Sequence, residues 1–239
     1  MSASTPTVVL VHGAFADAAS WSGVIEELQR EGVAVVAPPN PLRGLASDAA
    51  YIASVAAQID GPVVLVGHSY GGALITVAGT TDNVVGLVYV AAYVLEEGES
   101  LGELQGRFPD SPLVSSLKQW TYPTADGGTA TEVTIEEEAF PSVFAADVPA
   151  EVTRILATAQ RPLALGAFEE KAAAAAWKTK PSWALVAGAD RAIDPDVERF
   201  GAERAAATVV ELDGASHAVA VSQPGAVARI VLDAVRATA

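Results

Sequence analysis

Apolar residues follow two rhythms along this chain: short unbroken runs rich in β-branched side chains, and stripes that return every three or four positions. The runs at Thr7–Val11, 33–37, 63–66, 84–90, Ser182–Ala187 and Thr208–Leu212 have strand length, and 63–66 is a β-branched run suited to a buried strand. Between the second and third runs, Ile52, Val55, Ala56 and Ile59 recur at i, i+3, i+4 and i+7, one apolar stripe along a helix, with Ser47 as its expected cap. Segment 21–30 turns Val24, Ile25 and Leu28 to one side and Glu26, Glu27 and Gln29 to the other, and Gly32 ends it. Segment 223–238 reads as the last helix. Strands alternating with helices predict an α/β fold, a mainly parallel six-stranded sheet flanked by helices.

The alternation breaks after Val94, and about 85 residues pass before the next strand, too long for a simple connection. We read 95–181 as a mostly helical cap inserted into one domain that spans 1–239. It carries a turn-like Asp126-Gly127-Gly128, a helix-compatible 149–160, and an alanine run at 172–176 that reads as plain helix. Glu136-Glu137-Glu138 reads as a solvated face. No repeat or low-complexity linker marks a second domain.

Composition narrows the function. Of 239 residues 51% are hydrophobic, ample for one core. The formal net charge of −15 disfavours nucleic acid and anionic membrane surfaces, both polyanions that bind through Lys and Arg. The chain has no cysteine, which removes disulfides, thiolate metal sites and cysteine catalysis. Residues 1–7 lack the basic start and apolar core of a secretion signal, and no run of eighteen apolar residues suggests a membrane span. A cytoplasmic protein is the expectation.

The chemistry gathers around Gly67-His68-Ser69-Tyr70-Gly71, a G-x-S-x-G pattern between a strand-like and a helix-like segment. A strand that turns at once into a helix strains the residue at the turn and exposes its side chain, and small neighbours let it fit. This nominates Ser69 as a nucleophile. A serine hydroxyl needs a base, and the base needs a third group to orient it. Of three histidines, His68 adjoins Ser69 and should point the other way, and His12 opens a loop expected to supply an oxyanion donor. His217, just after the last strand, is the candidate base. Asp190 is the preferred acid; Asp194 and Asp213 are its rivals, and Glu96 and Glu97 are remoter. Asp194 directly precedes a proline and looks like a helix cap. Attack on a carbonyl also requires an anion site, for which the backbone amides of Tyr70, at a helix N-terminus, and Ala14 are the candidates. Phe15 and Tyr70 would shape the substrate pocket.

In order, Val8-Val9-Leu10-Val11-His12-Gly13-Ala14-Phe15, Gly67-His68-Ser69-Tyr70-Gly71-Gly72, Gly188-Ala189-Asp190-Arg191 and Ser216-His217 resemble the motifs of the α/β-hydrolase superfamily. The order nucleophile, acid, histidine is that family's order. Within it, His12-Gly13-Ala14 followed by Trp21, with Asn40-Pro41-Leu42, is similar to small bacterial serine esterases related to plant methyl esterases and hydroxynitrile lyases. The resemblance implies a core lacking the superfamily's first two strands, a helical cap, no metal and no organic cofactor. It implies cleavage of a small carboxylic ester through an acyl-enzyme intermediate with Ser69, His217 and Asp190. A lyase, a C–C hydrolase, a cofactor-free perhydrolase or a catalytically silent ligand-binding protein are the alternatives on the same fold. Hydroxynitrile lyases use an additional lysine near the acid, and Arg191 occupies that neighbourhood here; an arginine is a poor proton donor or acceptor, which tilts the reading from lyase to hydrolase. The expected partner is a small-molecule ester, with no nucleic acid and no membrane; a homodimer is allowed for.

Overall fold

A computed structural model describes residues 5–239; residues 1–4, part of the stretch read above for a secretion signal, lie outside the described residues. The strand-like runs form one six-stranded sheet in the order β2-β1-β3-β4-β8-β9, every pair parallel. Its strands are β1 (Thr7–Val11), β2 (Val35–Val36), β3 (Val63–Ser69), β4 (Val84–Ala92), β8 (Ser182–Ala187) and β9 (Thr208–Leu212). Side chains alternate across it. Val9, Val11 and Leu65 enter one apolar layer, and Val8, Leu10, Val64 and Val66 enter the other, as the two-residue period of a strand buried on both faces requires.

Helices complete both layers. α1 (Ser22–Arg30) and the final α10 (Pro224–Thr238) put Val24, Leu28, Ile230 and Val231 against one face. α2 (Leu45–Ala57), α3 (Tyr70–Ala78) and α8 (Pro195–Arg204) put Ile52, Leu74 and Val197 against the other. Several local expectations are corrected. The second strand shrinks to two residues at the sheet edge. Helix α1 is preceded by a 3-10 turn, Ala18–Trp21, which Asp17 caps through Ala19 N–H. Ser47 does not cap α2: its hydroxyl donates to Gly44 O, and the Asp48 carboxylate accepts from the Arg43 and Gly44 N–H groups that open the helix. A carboxylate with two acceptor oxygens serves two amides at once, which a single hydroxyl oxygen cannot do so well.

Between β4 and β8 the chain builds α4 (Leu101–Gln105), α5 (Pro112–Ser115), β5 (Leu117–Pro123), β6 (Thr129–Ile135), α6 (Phe140–Val143), α7 (Ala150–Thr158) and β7 (Leu163–Ala164). This segment is not only helical. β5 and β6 form an antiparallel hairpin, joined by β7 into a second, three-stranded sheet. Its turn is the Asp126-Gly127-Gly128 stretch, where Gly127 takes φ 85°, a left-handed conformation that favours glycine. The alternation Lys118, Trp120, Tyr122 against Glu132, Thr134 gives the hairpin little apolar periodicity, which is why it was not legible as strands. The alanine run is also corrected: 172–175 is irregular, and only Ala176–Lys178 makes a 3-10 turn. Among the described residues no helix is long and apolar enough to cross a membrane.

Ile52 is fully buried beneath α2. Ile52→Ala is expected to lower unfolding free energy by about 2–5 kcal/mol through lost burial and a residual cavity, read as a shifted urea midpoint at unchanged m-value.

Candidate active site

The turn from β3 to α3 places Ser69 at φ 55°, ψ −121°, a conformation that costs a non-glycine residue about 1–3 kcal/mol unless its surroundings hold it. The surroundings do so by close approach. A Cβ on Gly67 would sit 2.4 Å from Gly71 O, and one on Gly13 would sit 2.7 Å from the Ser69 Cβ. The loop after β1 is therefore pressed directly against the serine.

Around Ser69 the structure gathers residues from three strand ends. Asp190, after β8, accepts from Ala192 N–H at 2.7 Å and Ile193 N–H at 3.0 Å through Oδ1, and its Oδ2 lies 2.5 Å from His217 Nδ1. His217 and Ser69 both face one enclosed cavity of about 20 Å³, with Ala14, Phe15, Tyr70 and Tyr93. The rival acids lie elsewhere. Asp194 caps α8 through Asp196 N–H, Asp213 is exposed, Glu96 pairs with Lys178 at 2.5 Å, and Glu97 is exposed. Arg191 is also exposed.

The amide candidates differ in their surroundings from their neighbours. The Phe15 N–H is taken by Arg161 O of the cap at 3.0 Å, whereas among the described residues the Ala14 N–H has no such acceptor. Phe15 itself takes φ 63°, which turns its peptide relative to that of Ala14. Tyr70 opens α3, at a position where a helix leaves the N–H without an internal partner. The Tyr70 hydroxyl donates to Asp48 Oδ2 at 2.9 Å, and burial, then the Asp48 charge, pushes that phenol far above its ordinary range. Burial likewise raises the Asp48 carboxyl.

The other two histidines are structural partners of this arrangement. His12 Nε2 accepts from Asn40 N–H at 2.9 Å and its Nδ1 donates to Gly13 O at 2.9 Å, while Asn40 Nδ2 donates to His12 O at 3.0 Å. This exchange binds the loop after β1 to the loop after β2. His68 does point away from Ser69, but its role is close by: Nε2 donates to His217 O at 2.8 Å. Burial lowers both histidines, His68 furthest, with the neighbouring His217 adding to it. Phe144 of the cap closes over His217 at a centroid distance of 4.7 Å, and its carbonyl accepts the Ala218 N–H at 2.8 Å.

Three contributors were missed by sequence reasoning: Asp48 beneath Tyr70, Phe144 over His217, and Glu198, buried on α8 with Oε2 accepting from Ala187 N–H at 3.0 Å. Only the last carried a usable signal, a carboxylate on the inward stripe of α8. Among the described residues no three His, Asp or Glu side chains are gathered as a metal site would need.

The comparisons with known proteins agree on the fold. A sequence model of the alpha/beta hydrolase family matches residues 8–230. Polyneuridine aldehyde esterase superposes with a TM-score of 0.81 at 20% identity, covering 96% of this chain and 99% of that one. The methylesterase MES16 from Arabidopsis gives 0.79 at 20% identity over 97% and 99%. A pyrethroid hydrolase from Sphingobium faniae JZ-2 gives 0.77 at 21% over 98% of each chain. No curated protein matches the chain in sequence.

Because His12 and His68 are held neutral, the unfolded chain binds more protons than the folded one once the pH falls below about 6.5. The contribution of these histidines to stability is therefore expected to fall with pH from that point downward, by up to about 1.4 kcal/mol per pH unit for each, while the raised carboxyls of Glu198 and Asp48 act in the opposite sense. Urea titrations of the parent and of His68→Gln, which retains a donor for His217 O, isolate one histidine: between pH 7 and 5 the parent should lose stability relative to the variant as the pH falls.

Proposed function

We propose that this chain, which belongs to the alpha/beta hydrolase family, is a serine hydrolase that cleaves a small carboxylic ester through an acyl-enzyme intermediate. The observation that carries the reading is the strained Ser69 on the same small cavity as His217, whose other ring nitrogen is held by Asp190. With Nδ1 occupied, Nε2 is the nitrogen left to take the Ser69 proton. Asp190 keeps the imidazole in that tautomer and stabilises the imidazolium that forms. Ser69 Oγ attacks the acyl carbon, and the oxyanion is held by the Ala14 and Tyr70 N–H groups, in a site walled by Phe15, Tyr93 and Phe144 where such hydrogen bonds are strong. His217 then protonates the departing alcohol, activates a water, and the acid leaves.

Esterase names recur among the structural relatives, a polyneuridine aldehyde esterase and a methylesterase among them, which supports ester chemistry over the lyase and perhydrolase alternatives. The cavity at Ser69 is narrow. Phe15, which lines it, also lines an apolar cleft of about 300 Å³ bordered by Phe144, Leu156 and Val221. We assign this cleft to the apolar arm of the ester.

Ser69→Ala is expected to lower kcat by about 10⁶ with the fold retained, and a fluorophosphonate probe should label the parent protein at Ser69 alone. Near-parental hydrolysis of p-nitrophenyl esters by the variant would sink the assignment. Phe144→Ala should join the cleft to the cavity and raise kcat/KM for p-nitrophenyl hexanoate relative to the acetate by about tenfold; an unchanged ratio would place the apolar arm elsewhere.

A further inference from the structure

Among the described residues, no cation pairs with the Glu198 carboxyl group. It is 3% exposed, and although Oε2 accepts from Ala187 N–H, Oε1 is buried and receives no hydrogen bond. The adjacent Arg199 turns outward to Asp196 and Glu211 and opposes the burial only weakly. Asp190 hangs from the same residue, since its own N–H donates to Ala187 O at 3.0 Å. The two side chains thus share one anchor at the end of β8.

Their hydrogen bonding differs. Asp190 receives two backbone N–H groups and faces His217 Nδ1. Glu198 receives one. Burial, then the Asp190 charge, holds the Glu198 carboxyl well above the usual carboxylate range. The Tyr93 phenol, just past the end of β4, is raised by burial and then by the Asp190 charge. Two carboxyl groups anchored on the same buried residue disfavour each other's charge, and a neutral acid has an O–H, here at the unpartnered Oε1, that needs an acceptor.

We propose that Glu198 donates a hydrogen bond from Oε1 to the Asp190 carboxylate and so acts as a positioning residue behind the Asp190–His217 pair. No proton is transferred. The bond orients Asp190 and draws off part of its negative charge, which sets how strongly Asp190 supports an imidazolium at His217. The proposal rests on the serine-hydrolase reading above.

The test compares the parent protein with Glu198→Gln and Glu198→Leu. Gln carries the same charge as the neutral acid and keeps both a donor for Asp190 and an acceptor for Ala187; Leu keeps neither. The rate of fluorophosphonate labelling of Ser69 is followed against pH, and the imidazole of His217 is titrated in parallel by NMR. Glu198→Gln should label within about twofold of the parent, with an unmoved acid limb. Glu198→Leu should label about tenfold more slowly or worse, as for a lost hydrogen bond to a charged group, with the His217 midpoint moved upward. An acid limb about one pH unit lower in Glu198→Gln would mean that the parent carries a charged Glu198, and would overturn the proposal. So would a Leu variant that matches the Gln variant in rate and midpoint. If Glu198→Leu fails to fold, the Gln comparison decides alone. If the parent is never labelled, the serine-hydrolase reading fails, and the His217 titrations still decide whether Glu198 bonds to Asp190.

Discussion

Ser69 holds φ 55°, ψ −121° because its neighbours leave the turn no other shape. Gly67 lies against Gly71 on one side and Gly13 against the serine itself on the other, both closer than any side chain would allow. The strain at one residue is thus balanced by the packing of β3, α3 and the loop after β1, all inside a sheet whose two faces are filled with apolar side chains. Such a core resists local relaxation, because close-packed interiors cannot absorb a shift of even one methylene without cost. The same close approach brings the Ala14 peptide to the cavity that Ser69 lines. The proposed nucleophile and anion site are therefore placed by a single contact.

The polar groups of the site solve a different problem. His12, His68, Asp48, Asp190 and Glu198 are all buried, and each would be costly there without a partner. Most are satisfied by backbone groups of neighbouring loops: Asn40 and Gly13 for His12, the His217 carbonyl for His68, the Arg43 and Gly44 amides for Asp48. The His12–Asn40 and His68–His217 bonds join loops at different strand ends, and the Asp48 bonds close the turn that opens α2. What holds the groups in the interior also fixes the loops that carry Ser69, Asp190 and His217 relative to one another.

How much of this was legible follows from the physics of each signal. Buried parallel strands leave unbroken apolar runs, so β1, β3, β4 and β8 could be placed to within a few residues; of the two edge strands, β9 is exposed but kept a β-branched run long enough to read, while β2, with Val36 partly in water, left a weaker trace and proved shorter. The strained turn at Ser69 carries its glycines in the sequence. Asp190 could be preferred over Asp194 because a cap before a proline is a local pattern, and Asp194 does accept from Asp196 N–H. The cap hairpin was not legible, because β5 is exposed along most of its length and its pairing with β6 depends on cross-strand contacts. Nor was Asp48, which lies 22 positions from the Tyr70 it supports. Contacts between residues distant in the chain and joined only by the fold leave no pattern in a single sequence.

The cap is built into the site and does not merely cover it. The Phe15 amide donates to Arg161 O, the Ala218 amide to Phe144 O, and the Ser216 hydroxyl to Asp147, while Ser111 Oγ reaches Ala192 O at 2.8 Å. These bonds grip the loop after β1, the His217 loop on both sides, and the segment whose amides hold Asp190. Phe15 and Phe144, which border the space beside Ser69 and His217, belong to elements tied to the same three loops. Binding and alignment are mechanically coupled for that reason: a ligand that fits the space opened at Phe15 and Phe144 leaves the hydrogen bonds intact, and one that does not fit pulls on the backbone that positions His217. On the ester-hydrolase reading proposed above, selectivity for ligand shape is then expressed in the chemical step as well as in affinity.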